Sequence, residues 1–284
     1  MRVLGLLLKM KKALAVLCVI FSNIFAVTFC FPDVSYPQRI ISLGPAITEE
    51  LYLLGVEDRI VGTTVYCNKP SPAQNKEKVG TVIKFNLEKI VHLQADCVLA
   101  TSLADPQDVG KLRDLGIKVV CFPPAQDFSQ ICEQFLELGR VVGEEREAKR
   151  IIHQAKTRVG QIRKEIEDLP GQKVFVQTGA RPIFTINQDS FINDFIEFAG
   201  GINVASASGS GFYSREKVLQ DNPDVIIITT MGIVGEEERE IWERFSALKA
   251  VQDNRIYIVD SDSFCSPTPV SFVQTLEEMV ELLH

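Results

Sequence analysis

The sequence predicts an α/β protein built as two Rossmann-like lobes with parallel sheets, joined by one long backbone helix, with a ligand cleft between the lobes. Three observations predict this class: a helix–strand unit that occurs twice, an alternation of strands and helices in both halves, and a long amphipathic segment between the halves. The 284 residues are enough for two domains of ordinary size.

The repeated unit lies at residues 86–101 and again 128 residues later, at 214–229. Each copy has a Glu-Lys pair, two aliphatic residues, an aspartate and then an apolar run at matching positions. This pattern predicts a short helix, a polar turn and a strand that is buried on both faces. Two similar halves offer a natural binding site between them.

The remaining elements follow from apolar runs that are bounded by glycine and polar residues. Strands are predicted at 39–43, 60–63, 117–122, 173–177 and 255–259. Helices are predicted at 49–54, 108–115 and 190–199, each of which is followed by a glycine. Strands and helices of this length in alternation indicate parallel sheets with helical crossovers.

A segment of a different kind separates the halves. Apolar residues recur at three- and four-residue spacing from Ala148 to Ile166, and Pro170-Gly171 ends the run. The spacing predicts one amphipathic helix over residues 144–169. We therefore divide the chain into an N-terminal lobe at 37–143, this connecting helix, and a C-terminal lobe at 172–284.

Residues 1–30 have the composition of a secretory signal peptide, with four basic residues, no acidic residue and an apolar run. The protein is therefore expected to be exported, either to the periplasm or to the outer face of the cytoplasmic membrane. An uncleaved membrane anchor and a lipid attached at Cys30 are the alternatives, and Met10 is an alternative start. A net charge of −7 argues against a nucleic-acid partner.

The motifs of enzymes are missing from this sequence. Gly209-Ser210-Gly211 lacks the third glycine of a dinucleotide fingerprint, and neither a Walker-type loop nor a G-x-S-x-G elbow occurs. The three histidines, at 92, 153 and 284, are scattered, which argues against a catalytic or metal-ligand cluster. We expect a binding protein with no catalytic residues, no metal site and no resident cofactor.

A series of segments carries a resemblance to a known family. Residues 39–49 resemble its opening strand, loop and helix; 65–70 and 80–88 resemble its next two loops; and 175–185 resemble the start of its second lobe. On these segments, from Pro37 to the C-terminus, the chain resembles the substrate-binding proteins of ABC importers of the helical-backbone class. That family captures cobalamin, ferric siderophores or haem, and the likeness is greatest to its cobalamin-binding members.

The resemblance implies a set of ligand-contacting residues in loops that follow strands, where open α/β sheets bind their ligands. Aromatic members of the set could cover a flat macrocycle. The set comprises Pro45, Ala46, Tyr66, Phe85, Ser102, Arg181, Phe184, Phe212, Tyr213, Met231 and Phe264. Arg181 favours the alternative ligands, since a guanidinium suits the carboxylates of a siderophore or of haem.

The resemblance also implies partners, namely an ABC permease with its ATPase subunits, bound by a monomeric receptor. In this family an acidic residue on each lobe pairs with arginines of the permease. The candidates are Asp105 and Asp108 in the first lobe and Glu236, Glu237, Glu238 and Glu240 in the second. A run of glutamates at a helix start is also favoured by the helix dipole alone.

Overall fold

Four parallel strands form the first sheet of the protein, in the order β2-β1-β3-β4. The computed structural model describes residues 36–229 and 235–284, so the predicted signal peptide at 1–30 lies outside the described residues. The strands are β1 (Ile40–Ser42), β2 (Ile60–Thr63), β3 (Cys97–Thr101) and β4 (Lys118–Phe122), and the helices are α1 (Pro45–Leu53), α2 (Leu87–His92) and α3 (Pro106–Asp114). Short 3-10 turns occupy Glu57–Arg59 and Ser71–Asn75.

The second sheet is mixed. Its strand order is β10-β9-β5-β6-β8, and β7 pairs with β5. The strands are β5 (Gln172–Ala180), β6 (Ile183–Thr185), β7 (Gly201–Asn203), β8 (Phe212–Tyr213), β9 (Val225–Thr229) and β10 (Ile256–Val259). The intervening helices are α6 (Phe191–Phe198), α7 (Arg215–Asp221), α8 (Gly235–Glu243), α9 (Lys249–Gln252) and α10 (Ser261–Cys265).

Parallel pairing throughout was therefore a wrong prediction for this sheet. Strand β6 runs antiparallel to both β5 and β8. The two-residue connection Arg181-Pro182 is the physical reason, because a turn this short can join only antiparallel neighbours. The expected α/β architecture is confirmed, with an antiparallel extension on one side of the second sheet.

The repeated unit forms the same structure in both halves. Its first copy gives α2 and β3, and its second gives α7 and β9. Asn86 caps α2 by accepting a hydrogen bond from the backbone N–H of Lys89 at 2.9 Å. Ser214 caps α7 in the same way, accepting from Lys217 N–H at 3.1 Å. Every residue of β9 is buried, and so are the first four residues of β3, as the apolar runs predict.

Two consecutive helices, α4 (Phe128–Val142) and α5 (Glu145–Glu165), connect the sheets. Helix α5 corresponds to the predicted connecting helix, whereas α4 was not predicted. In both helices one end packs in the core beside the first sheet and the other end in the core beside the second. The C-terminal helix α11 (Pro269–Leu283), also unpredicted, packs against α5.

Each sheet is covered on both faces. In the first sheet, Ile40 belongs to the core cluster that includes α1, α4 and α5, and Ile41 belongs to the cluster on the opposite face. Alternation along a strand produces this division, because successive side chains point to opposite faces. Within the described residues, no helix combines the length and the apolar character needed to cross a membrane.

Candidate functional site

A cavity of about 260 Å³ lies where the first sheet faces residues of the second lobe. The first lobe contributes the start of α1, the carboxyl ends of β3 and β4, and the middle of α4. The second lobe contributes Phe191, at the start of α6, and the loop between α10 and α11. The lining residues are Ala46, Ile47, Glu50, Thr101, Leu103, Phe122, Pro123, Pro124, Ala125, Ile131, Gln134, Phe191, Cys265, Ser266 and Pro267.

The sheet topology explains why a cavity forms at this place. Strand β1 has β2 on one side and β3 on the other, so the chain changes direction between β1 and β3. The helices that follow these two strands therefore leave on different sides, and a crevice opens beyond their carboxyl ends. Ala46, just after β1, and Leu103, just after β3, both line the cavity.

Glu50 is the one acidic residue among those that line the cavity. It lies on α1, one turn after Ala46, and is only 7% exposed. Within the described ranges no group donates a hydrogen bond to its carboxylate. Burial raises the pKa of Glu50 well above its ordinary value, and the neighbouring charge of Glu49 raises it further. The side chain is thus held in a setting that favours the neutral acid.

No basic side chain appears in the lining. The other titratable group there is the thiol of Cys265, whose pKa burial raises to about 11, so that it is neutral at physiological pH. Gln134 already donates its amide to Pro123 O at 3.0 Å, and the Thr101 hydroxyl accepts from the backbone N–H of Leu103 at 3.3 Å. The cavity is therefore largely apolar and close to electrically neutral.

The predicted first-lobe residues separate into three groups. Ala46 lines the cavity, and Pro45 precedes it at the first position of α1. Tyr66 is 55% exposed, and Ser102 is also exposed. Phe85, by contrast, is buried in the core beside the first sheet, because its strand-like segment packs against Gly80. Phe85 therefore does not offer its ring to a ligand, which corrects that expectation.

The predicted second-lobe aromatics also divide between surface and core. Phe184 on β6 and Phe212 on β8 are 38% and 53% exposed. Their rings lie 4.5 Å apart. Pairing of β6 with β8 sets this contact, since the two residues are register partners. Arg181, in the turn before β6, is exposed too.

Phe264 and Tyr213 contact other residues of the second lobe. Phe264 is buried against Phe195 in the core of the second lobe, so its predicted role at the ligand is corrected. Tyr213 donates its hydroxyl to Asp221 and packs on Phe175. Met231 lies outside the described residues. The second-lobe surface available to a ligand therefore centres on Phe184 and Phe212.

A lysine in the first lobe makes polar contacts with the second lobe near the cavity. Lys69, in the loop after β2, donates to Ser263 Oγ at 3.0 Å and to Asp260 Oδ2 at 3.4 Å. Both acceptors lie at the start of α10, the helix that ends at the cavity-lining Cys265. The contact brings the loop of Tyr66 beside the second lobe.

The acidic docking candidates differ in whether their carboxylates already have partners within the protein. Asp105 caps α3, accepting from Gln107 N–H at 2.8 Å, and Asp108 pairs with Lys111 at 2.8 Å. Glu236 pairs with Arg239 at 2.9 Å. Glu237 is exposed and has no ionic partner in the part of the chain that the structure describes.

Glu238 has a structural role instead. It is buried, it forms a salt bridge with Arg215, and it accepts a hydrogen bond from Gln177 at 2.8 Å. Gln177 in turn accepts from the indole N–H of Trp242 at 2.6 Å, and the Arg215 guanidinium lies 4.6 Å from the centre of the Trp242 ring. A carboxylate with these partners is not available to a permease, which corrects that expectation.

Sequence reasoning missed Glu50 and the segments 122–125 and 265–267. Proline follows the strand at Phe122 and precedes α11, which indicates loops at both places, but nothing in the pattern indicates that these loops meet. The available signal for Glu50 is its position in α1 beside the apolar residues that follow it, because a carboxylate next to buried residues is itself expected to be partly buried. In the described residues, no group of three or more potential metal ligands is assembled.

Comparisons with known proteins identify the family and the fold. Residues 40–263 match the family described as periplasmic binding protein. An uncharacterized ABC transporter substrate-binding lipoprotein, YvrC of Bacillus subtilis, is 30% identical over 259 residues, which is 87% of this chain and 80% of that protein.

Two solved structures share the fold and are more than 25% identical in sequence to this chain. The periplasmic vitamin B12 binding protein BtuF of Vibrio cholerae superposes with a TM-score of 0.73 and 26% identity, covering 87% of this chain and 96% of that one. A possible iron-binding periplasmic solute-binding protein of Staphylococcus epidermidis gives 0.79 and 27%, covering 88% and 100%. These relatives are binding proteins rather than enzymes.

Proposed function

Since the chain belongs to the periplasmic binding protein family, and is thus a substrate-binding protein of an ABC importer rather than an enzyme, we propose that it captures cobalamin or a related corrinoid. As a monomer outside the cytoplasm, it delivers this ligand to the permease. It performs no chemistry on the ligand.

The absence of a basic side chain from the described cavity lining carries this proposal. Haem bears two carboxylates, and ferric siderophores of the catechol and carboxylate classes are strongly anionic. Burying such charges without a cation is costly. The periphery of a corrin carries neutral amides instead, which suit a neutral, largely apolar cavity.

Exposed aromatic rings support the same ligand class. Phe184 and Phe212 form a contacting pair at the surface of the second lobe, and Tyr66 is exposed on the first. Large apolar groups exposed together commonly mark a binding surface. A flat macrocycle offers the extended apolar face that such rings stack on.

An iron chelate is the second candidate, and Arg181 favours it. The guanidinium is exposed in the turn between β5 and β6, two and three residues before Ile183 and Phe184. A ligand that lay across the β6–β8 aromatic pair could place a carboxylate there. The resemblance in fold to the possible iron-binding protein of S. epidermidis is a further reason to test this class.

Docking on the permease is assigned to Asp105 and Glu237, the exposed acids at the starts of α3 and α8. Each lies at a helix N-terminus on its own lobe. An acid on each lobe allows a permease to engage both lobes through basic side chains.

Calorimetric titration of the purified protein with cyanocobalamin, haemin and a panel of ferric siderophores tests the proposed ligand. Saturable one-to-one binding of cyanocobalamin, without comparable binding of the anionic chelates, is the expected result. Binding of a ferric chelate alone would replace the ligand and keep the transport role. No binding by any compound in the panel would overturn the proposed ligand class.

A further inference from the structure

The cavity is too small to enclose a whole corrinoid or haem. Its volume of about 260 Å³ falls below the range of roughly 300–1,000 Å³ that is typical of pockets enclosing drug-sized ligands. A larger ligand can therefore place only one part of itself here, such as a side group at the edge of a macrocycle. The cavity lining then decides which kind of side group is accepted.

Glu50 is the acidic side chain of that lining, and its carboxyl makes no hydrogen bond within the described residues. The carboxyl is more than nine-tenths buried and borders the cavity, and no donor or acceptor in residues 36–229 or 235–284 is bonded to it. Because the carboxyl borders the cavity, a ligand group placed there can supply the hydrogen bonds that the protein does not.

The surroundings of Glu50 favour its neutral form. The neighbouring charge that acts on Glu50 is that of Glu49 on the same helix, which would repel a negative charge at Glu50, and the thiol of Cys132 on α4 is also nearby. Burial raises the pKa of Cys132 to about 12 and that of Cys265 to about 11, so neither thiol supplies a charge. No cation lines the cavity to stabilise a carboxylate.

A neutral carboxyl offers one O–H donor and one carbonyl acceptor side by side. A primary or secondary amide offers an N–H donor and a carbonyl acceptor in the matching arrangement, so the two can form a pair of reciprocal hydrogen bonds. An anionic group cannot complete such a pair, and a cationic group would require Glu50 to ionise in an apolar cavity.

We infer that Glu50 is a specificity-determining residue of the cleft, and that it recognises an uncharged amide-type group at the edge of the ligand. This inference rests on the proposed function for its choice of ligand, since corrinoids carry several such amides. It selects neutral macrocycles over carboxylate-bearing ones.

The test uses three forms of the full chain: wild type, Glu50→Gln and Glu50→Met. Glutamine keeps an adjacent donor and acceptor without a charge, whereas methionine keeps the approximate volume and removes both. Glu133→Met, on the exposed face of α4 and outside the cavity lining, is the matched control. Thermal melts first establish that every variant is folded.

Affinity for cyanocobalamin is then measured by calorimetry. We expect Glu50→Gln to bind within about threefold of wild type, and Glu50→Met to bind about tenfold to a hundredfold more weakly, the loss expected for two hydrogen bonds. Equal affinities for wild type and Glu50→Met would overturn the inference and leave the proposed function intact. A glutamine variant as weak as the methionine variant would show that the ligand needs the ionised form, which also overturns it.

The outcome with other ligands distinguishes the proposed corrinoid ligand from the proposed role of Glu50. If a ferric hydroxamate binds in place of the corrinoid, and Glu50→Met weakens it, the proposed ligand fails and the role of Glu50 stands, because hydroxamates also present amide-type groups. If haemin alone binds, both claims fail.

Discussion

Asp96 and Asp224, 128 residues apart, make the same contact in the two halves of the protein. Asp96 Oδ2 accepts a hydrogen bond at 2.7 Å from the backbone N–H of Gln38, which begins the chain entering β1. Asp224 Oδ2 accepts at 2.7 Å from the backbone N–H of Lys173, at the start of β5. Each aspartate therefore holds the backbone near the start of the central strand beside its own.

Replacing either aspartate by alanine should lower the free energy of unfolding. Asp96→Ala loses hydrogen bonds to an exposed carboxylate, for which we expect about 1–2 kcal/mol. Asp224→Ala should cost at least as much, because it also loses an ion pair with Lys249. Because the two residues lie in different sheets, the double variant should show the sum within about 0.5 kcal/mol. Denaturant unfolding measures both quantities. Asp168→Ala, an exposed aspartate with no partner in the described chain, is the control, and an equal effect there would contradict the assignment.

Glu50→Met should make the protein more stable while weakening ligand binding. Removing a buried carboxyl that lacks a hydrogen bond relieves a desolvation cost, and the expected gain in the free energy of unfolding is about 1–3 kcal/mol. Such a trade of stability for function is typical of binding sites. Thermal and denaturant unfolding without ligand check it, and a loss of stability would mean that Glu50 has a partner in the folded protein.

The pH dependence of the free energy of unfolding should include a contribution from the ionisation of Glu50. The pKa of Glu50 is raised in the folded protein above its ordinary value of 4.5. The folded state therefore holds this proton more tightly than the unfolded state, so the stabilisation is complete below pH 4.5 and is lost as the pH rises through the raised value.

Comparison with Glu50→Gln isolates that contribution, because Glu49 has a raised pKa as well and changes stability with the same sign. Unfolding measured from pH 4 to 8 should give a steeper decline for wild type than for the glutamine variant. Parallel curves would exclude a perturbed pKa at Glu50.

The exposed and buried phenylalanines should respond oppositely to truncation. Phe212→Ala, at the surface pair with Phe184, should weaken cyanocobalamin binding about tenfold or more and lower stability by about 1 kcal/mol or less. Phe264→Ala should lower the free energy of unfolding by about 3–5 kcal/mol, because it leaves a cavity against Phe195. Calorimetric titration and denaturant unfolding of both variants check the pair. Full affinity in Phe212→Ala would remove the aromatic pair from the site.

Charge changes at the two exposed helix starts should uncouple docking from ligand capture. Asp105→Ser keeps the cap of α3 and removes the charge, and Glu237→Lys reverses the charge on α8. The double variant should reduce ligand-stimulated ATPase activity of the reconstituted importer about tenfold without changing ligand affinity. Glu243→Lys, at the end of the same helix, is the control. Unchanged ATPase activity in the double variant would refute the docking assignment.

Much of the architecture could be predicted because its signals are local. Helix caps and buried strands are determined by residues that are close in sequence. The repeat therefore gives the same structure twice, with caps at Asn86 and Ser214 and apolar strands after Asp96 and Asp224. Helix α4 shows the limit of this reasoning. Its apolar spacing from Phe128 to Val142, with Asp127 as cap, is a local signal of the same kind, but the sequence prediction did not include this helix.

The sequence by itself determined the class of the protein, its two α/β halves, their caps and turns, and its family. Only the tertiary structure decided which side chains face the cleft. Phe264 and Phe212 both lie close after or within strands, yet one ring packs into the core and the other is exposed. Nothing in the local sequence distinguishes Glu50 from other helical glutamates. Its place in the cavity depends on the packing of α1, α4 and the α10–α11 loop around it. Local sequence sets where a strand ends, whereas the direction and burial of a side chain depend on residues far away in the chain.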